Sequence, residues 1–153
     1  FDTAGRLYWN DSTTGLLRGG KHFVTPYKAQ VLIPPSAFTR VISEGEWLGQ
    51  PASMIKSLSG RTAPVSTWSK GPRVLASCGS IPVGTAVGTF LGPSGGFGGH
   101  VGFLAACGGG EITLWDQGFA SPSDGVVRKH SLSNTAANTP QDSAAYFVVL
   151  APL

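Results

Sequence analysis

Charge is what this sequence has least of. Asp, Glu, Lys and Arg make up 12% of its 153 residues, against roughly 25% in an average globular protein. The net charge of +3 comes from scattered bases, with no basic stripe interleaved with aromatics. A nucleic-acid partner is therefore not expected. No apolar run approaches the roughly 20 residues needed to cross a bilayer, so no membrane partner is expected either. The chain has only three His and two Cys, and their positions offer no metal-ligand spacing. Neither a metal nor a cofactor is expected from the sequence. There is no internal repeat. Glycine and proline are abundant instead, at 22 and 11 residues. With 41% hydrophobic residues the chain nevertheless has the means to fold, as a loop-rich single domain over residues 1–153.

The chain opens on Phe1 rather than Met, which suggests a removed signal peptide. Asn10-Asp11-Ser12 forms a glycosylation acceptor pattern, with Asn10 as the candidate site. Cys78 and Cys107 suit either one disulfide or two buried thiols. Together these features lead to the expectation of a secreted, extracellular protein.

Residues 1–45 look like a non-helical lead-in, with strand-like pieces around Leu7-Tyr8-Trp9, from Lys21 to Tyr27 and from Ala29 to Ile33. Ser36 to Ile42 suits a helical turn capped by Ser36. His22 has no placed partner and fits a surface position on a strand. Residues 46–153 form the expected core. From Gln50 to Ser59 the spacing predicts a helix: Pro51 suits the first position, Met54, Ile55 and Leu58 recur at helical intervals, and Gly60 ends it. Arg61 to Pro72 is expected as an irregular crossover. Val74-Leu75-Ala76 and Ile81-Pro82-Val83 lead into the sheet of residues 84–117. Val126 to His130 gives a short strand, Ser131 to Ser143 is turn-like, and Ala145 to Leu150 is a buried strand.

Residues 84–117 carry the chemistry. Three runs rich in Val, Ile, Thr and aromatics, near residues 84–90, 100–106 and 111–116, are separated by glycine clusters and predict antiparallel strands. His100 opens the second and Asp116 closes the third, so the two side chains can meet at one sheet edge. A carboxylate beside an imidazole is the orienting half of a catalytic triad. The glycine loop from Gly92 to Gly99 precedes a strand rather than a helix, so it is no phosphate cradle; a flexible hairpin beside His100 is the expectation.

The ordered set PASMIK (51–56), TWSKG (67–71), IPVGTAVGTF (81–90), GHVGF (99–103) and LWDQ (114–117) resembles the BPSL0067 family. That family is a branch of the papain-like group that includes the CHAP and NlpC/P60 peptidoglycan amidases. The resemblance covers roughly residues 49 to 150 and leaves 1–45 unexplained. It implies an α+β fold, a small papain-like domain with one main helix packed on an antiparallel sheet. It also implies a Cys thiolate at the helix start, activated by a His on the adjacent strand and a polar orienter. His100 and Asp116 stand where the resemblance expects the His and its orienter, but the nucleophile position is occupied by Pro51.

Ser53 is a weak substitute, because two steps along a helix turn a side chain by about 200°. Cys107 lies seven residues, roughly 23 Å of extended chain, from His100. A Cys78–Cys107 disulfide uses both thiols more simply; two buried free thiols are the alternative. Of Trp9, Trp47, Trp68 and Trp115, Trp68 in the crossover is expected to be exposed, and Trp115 inside a strand to be buried. Trp68 and Gln117 are the candidate ligand-binding side chains. The reading that follows is a secreted, catalytically degenerate papain-like domain, binding a cell-wall peptide, glycan or protein ligand in defence or microbial antagonism. The alternatives are an active amidase using His100 with an unplaced Ser or Cys nucleophile, and an interaction protein that works through residues 1–45.

Overall fold

A computed structural model describes residues 9–10, 17–18, 28–31, 51–61, 63–118 and 127–152. Strands β1 (Trp9–Asn10) and β2 (Leu17–Arg18) pair with each other. The expectations for His22, Ser36 to Ile42, Trp47, Val126 and the side chains of Trp9 and Asn10 lie outside the described residues.

The main helix, α1 (Pro51–Ser59), forms where its apolar spacing predicts. Met54 and Ile55 are fully buried. Gly60 closes the helix at φ 73°, donating its N–H to the carbonyl of Lys56 at 2.9 Å. A left-handed glycine of this kind satisfies one of the last carbonyls without a Cβ clash.

α1 lies against a seven-stranded sheet composed of β3 (Lys28–Gln30), β4 (Ser69–Arg73), β5 (Ala86–Thr89), β6 (Val101–Gly108), β7 (Glu111–Asp116), β8 (Arg128–Ser133) and β9 (Tyr146–Pro152). These strands pair antiparallel, in the order β3-β9-β5-β6-β7-β8, with β4 also on β9. The class is α+β, mostly antiparallel with one α-helix among the described residues, as expected. Its order is not that of a simple meander, because the C-terminal strand inserts beside β5. Apolar side chains pack on both faces. Met54 and Ile55 join Val101, Phe103, Ala86 and Val149 on one face, while Leu104, Ile112, Leu114, Tyr146 and Val148 fill the other.

The β6–β7 connection is Gly109-Gly110, both at positive φ. Two left-handed residues are what a two-residue hairpin turn matching strand twist requires. Residues 69–73 form a strand where an irregular crossover was expected. Gly71 lies so close to β9 that a Cβ there would sit 2.8 Å from the Val148 carbonyl. A register shift between Lys70 and Arg73 accommodates Pro72. Val74-Leu75-Ala76 and Ile81-Pro82-Val83, expected to lead into the sheet, do so through turns and the short 3-10 helix Cys78–Ser80. Strand β8 runs on to Ser133, past the expected end at His130.

Cys78 and Cys107 are joined, with Cα atoms 5.6 Å apart. The bond ties the turn before β5 to the end of β6.

The segment before β9 is held by one carboxylate. Asp142 accepts hydrogen bonds from the backbone N–H groups of Thr135 (3.0 Å), Asn138 (2.9 Å) and Ala144 (3.0 Å). Burial favours the neutral acid and pushes the carboxyl up, but these backbone N–H groups overcome that effect and hold it below the ordinary carboxylate range. Its folded value lies below its unfolded one, so its contribution is present above the unfolded value and lost as pH falls through the folded one. Asp142→Ala should therefore lower stability at neutral pH by about 2 kcal/mol. Urea melts of both proteins check this: the difference should shrink as pH falls below about 4.

Candidate functional site

The site is assembled at the start of β6. Thr89 Oγ1 donates to the Gly98 carbonyl at 2.5 Å and accepts the His100 backbone N–H at 3.0 Å. Gly99, at φ 104°, has no room for a Cβ against the Thr89 hydroxyl. These constraints hold the backbone from which the His100 ring projects.

The partner of that ring comes from β7. Phe103 pairs with Trp115, which brings Gly102 beside Asp116. A Cβ on Gly102 would stand 3.1 Å from the Asp116 Cβ and 2.9 Å from the Trp115 carbonyl, so glycine leaves space for the carboxylate. His100 Nε2 lies 2.6 Å from Asp116 Oδ2, and both residues are buried, at 3% and 1% exposure. The pair anticipated from the two strand ends is thus formed in the fold.

A third group was not anticipated. Leu114 pairs with His130 on β8, and Asp116 stands two residues beyond Leu114 on the same face of the strand. His130 Nδ1 reaches Asp116 Oδ1 at 3.1 Å. The carboxylate is therefore shared between two imidazoles, one on each oxygen. It lies on the face of Leu114 and Tyr146, whereas α1 packs on the face of Val101 and Phe103. No spacing in the sequence pointed to His130. Its partnership depends on the register between two strands separated by an eleven-residue connection, residues 117–127.

The site is electrostatically coupled. Burial lowers the proton affinity of His130; the Asp116 charge pulls it back up and His100 pushes it down. Burial raises the Tyr146 phenol far above its ordinary value, and the Asp116 charge adds to the effect. Its hydroxyl donates to the Pro140 carbonyl at 2.7 Å.

The other candidates are distributed differently. Pro51 opens α1, half-buried, and Ser53 is buried at 5% exposure. Trp68, expected to be exposed, is buried at 4%. Its ring meets Phe97 edge-on, with centroids 4.9 Å apart, and its Nε1 finds no acceptor among the described residues. Phe97 belongs to the glycine-rich loop, and also packs edge-on against Phe90 at 6.0 Å. That loop is pinned to the core rather than free as a hairpin. Gln117 is buried at 2%. Trp115, expected to be buried, is partly buried and packs against the cluster on the α1 face, with Lys129 Nζ 5.8 Å from its ring. Both cysteines of the sequence are consumed by the disulfide.

The family described as domesticated amidase effector 2 matches residues 25–149. A curated protein of that name from Ixodes scapularis is 31% identical over 99 residues, which cover 60% of this chain and 68% of the relative. Among solved structures, type 6 secretion amidase effector 2 superposes with a TM-score of 0.59 at 22% identity, over 74% of this chain and 89% of that one. The last likeness is one of fold.

Proposed function

The chain belongs to the domesticated amidase effector 2 family, and we propose that it is a member that has lost amidase chemistry and keeps a cell-wall ligand. The observation that carries this reading is the state of the two thiols. The papain-like mechanism implied by the resemblance uses a thiolate beside an imidazole. This chain has two cysteines, and each is the other's disulfide partner. Pro51, which has no side-chain nucleophile, stands first in α1. His100 and Asp116 are, in this reading, the remnant of a dyad. Their pair lies on the sheet face opposite the one that α1 covers, not facing Pro51 as the resemblance implies, and the second carboxylate oxygen is taken by His130. In this reading the domain is papain-like, a relative of the BPSL0067 branch, with residues 1–45 as an extension.

The ligand is a wall peptide, a glycan or a protein carried there. Peptidoglycan is the class favoured by kinship with amidases. The partly buried Trp115, with Lys129 beside its ring, is the candidate contact for sugar rings. Secretion is supported by the disulfide, which persists in oxidising compartments, and among the described residues no helix is long and apolar enough to cross a membrane.

The second reading is an active amidase with a serine nucleophile. Incubation with purified sacculi in non-reducing buffer separates the two. Co-sedimentation without release of soluble muropeptides is the expected outcome. Release that depends on His100 would establish the second reading.

A further inference from the structure

Three side chains from neighbouring strands meet at the site: His100 before β6, Asp116 at the end of β7 and His130 within β8. His100, Asp116 and His130 each offer one ligand atom, and these atoms lie within 4.8 Å of one another. The geometry points to a site for one divalent transition-metal ion of the zinc class, held by His100 Nε2, His130 Nδ1 and one Asp116 oxygen. This inference rests on the described side chains alone and stands whether or not the amidase reading does.

The ligand atoms are near enough for small ring movements to close the site. Zinc binds imidazole nitrogen at about 2.0–2.1 Å and carboxylate oxygen at about 2.0–2.2 Å, so ligand atoms in a tetrahedral site stand roughly 3.2–3.5 Å apart. The His130 Nδ1 to Asp116 Oδ1 separation is 3.1 Å, close to that value. The His100 Nε2 to Asp116 Oδ2 separation is 2.6 Å. The two rings meet different oxygens and the ligand atoms spread over up to 4.8 Å, so an ion on one oxygen draws the rings inward by about an ångström.

A carboxylate can only accept, so in the metal-free protein both ring atoms facing it carry hydrogen. Metal entry requires each ring to present a lone pair there. The proton moves to the ring's other nitrogen or is released to solvent.

The donor set selects the ion. Two imidazoles and one carboxylate suit zinc, cobalt, nickel or copper, whereas magnesium and calcium prefer all-oxygen shells. The carboxylate supplies charge in a buried setting, at 1% exposure. His130, at 27% side-chain exposure, leaves an approach from solvent. The backbone around His100 is already fixed by Thr89, so little ordering is needed. Three protein ligands leave a fourth position for water or a ligand donor.

The test uses the untagged, disulfide-intact chain after chelator treatment and dialysis. Titration with ZnCl₂ should show one equivalent bound with a Kd below about 10 μM. The melting temperature should rise by about 5–10 °C at hundredfold excess over Kd. MgCl₂ should do neither. His130→Gln, with folding checked by circular dichroism, should weaken zinc at least tenfold. Cobalt provides a readout that needs no variant: the intense visible bands of a four-coordinate ion are expected. A folded His130→Gln that binds zinc as the wild type does would overturn the site. So would a wild type that shows no binding at 100 μM, or only the pale spectrum of six-coordinate cobalt.

Discussion

Replacing Cys107 by serine should lower the melting temperature by about 7–14 °C. The bond between Cys78 and Cys107 spans a sequence separation of 29. Cross-linking a loop of that size removes conformational freedom from the unfolded chain, worth about 3–4 kcal/mol. A domain of this length shifts by roughly 2–4 °C per kcal/mol. The bond also joins two elements with no covalent neighbour in common, the 3-10 turn Cys78–Ser80 and the far end of β6. Without it that turn keeps the local hydrogen bond from the Ser80 N–H to the Ser77 carbonyl. Intact mass after alkylation in denaturant, without reductant, checks the premise: two added alkyl groups would show that the thiols are free. Calorimetry of the serine variant checks the magnitude, and a shift under about 2 °C would show that the bond contributes little.

Asp116→Ala should be as costly, for a different reason. The carboxylate is buried and accepts from two rings, at 2.6 Å and 3.1 Å. Truncation removes the acceptor that both imidazoles share, at the buried end of the site. Removing one partner of a buried ionic or strongly polar pair typically costs about 3–5 kcal/mol. Asp116→Asn should cost less, because its side-chain oxygen can still accept from one ring while its amide group is a donor facing another donor. Urea denaturation in the presence of a chelator isolates this effect from any metal. A cost below about 1 kcal/mol for Asp116→Ala would mean that water or rearrangement satisfies the rings, and that the carboxylate is not the organising centre of the site.

What could be read from the sequence was whatever depends on neighbours in the chain. Helix α1 follows from Pro51, the Met54-Ile55-Leu58 spacing and Gly60. The β6–β7 hairpin follows from Gly109-Gly110 and the alternation of residues 111–116, and with it the meeting of His100 and Asp116. What depends on distant pairing was not legible. Lys70-Gly71-Pro72 has no strand signature, and β4 exists because β9 lies beside it. His130 looked like the end of a short strand until the β7–β8 register set it against Leu114. Trp68 seemed free in its polar segment because nothing local foretells that Phe97 closes over it. The same logic explains why the histidines seemed too scattered to act together: 30 residues separate them in sequence, and a single aspartate joins them in space.

The most direct test is chromatography of the muropeptides released when the purified, non-reduced chain is incubated with sacculi. With both thiols in the disulfide and proline at the helix start, the profile should match a protein-free control, even at high protein concentration and long times. New peptide or disaccharide-peptide peaks that grow with protein concentration and vanish in His100→Ala would contradict the loss of amidase chemistry.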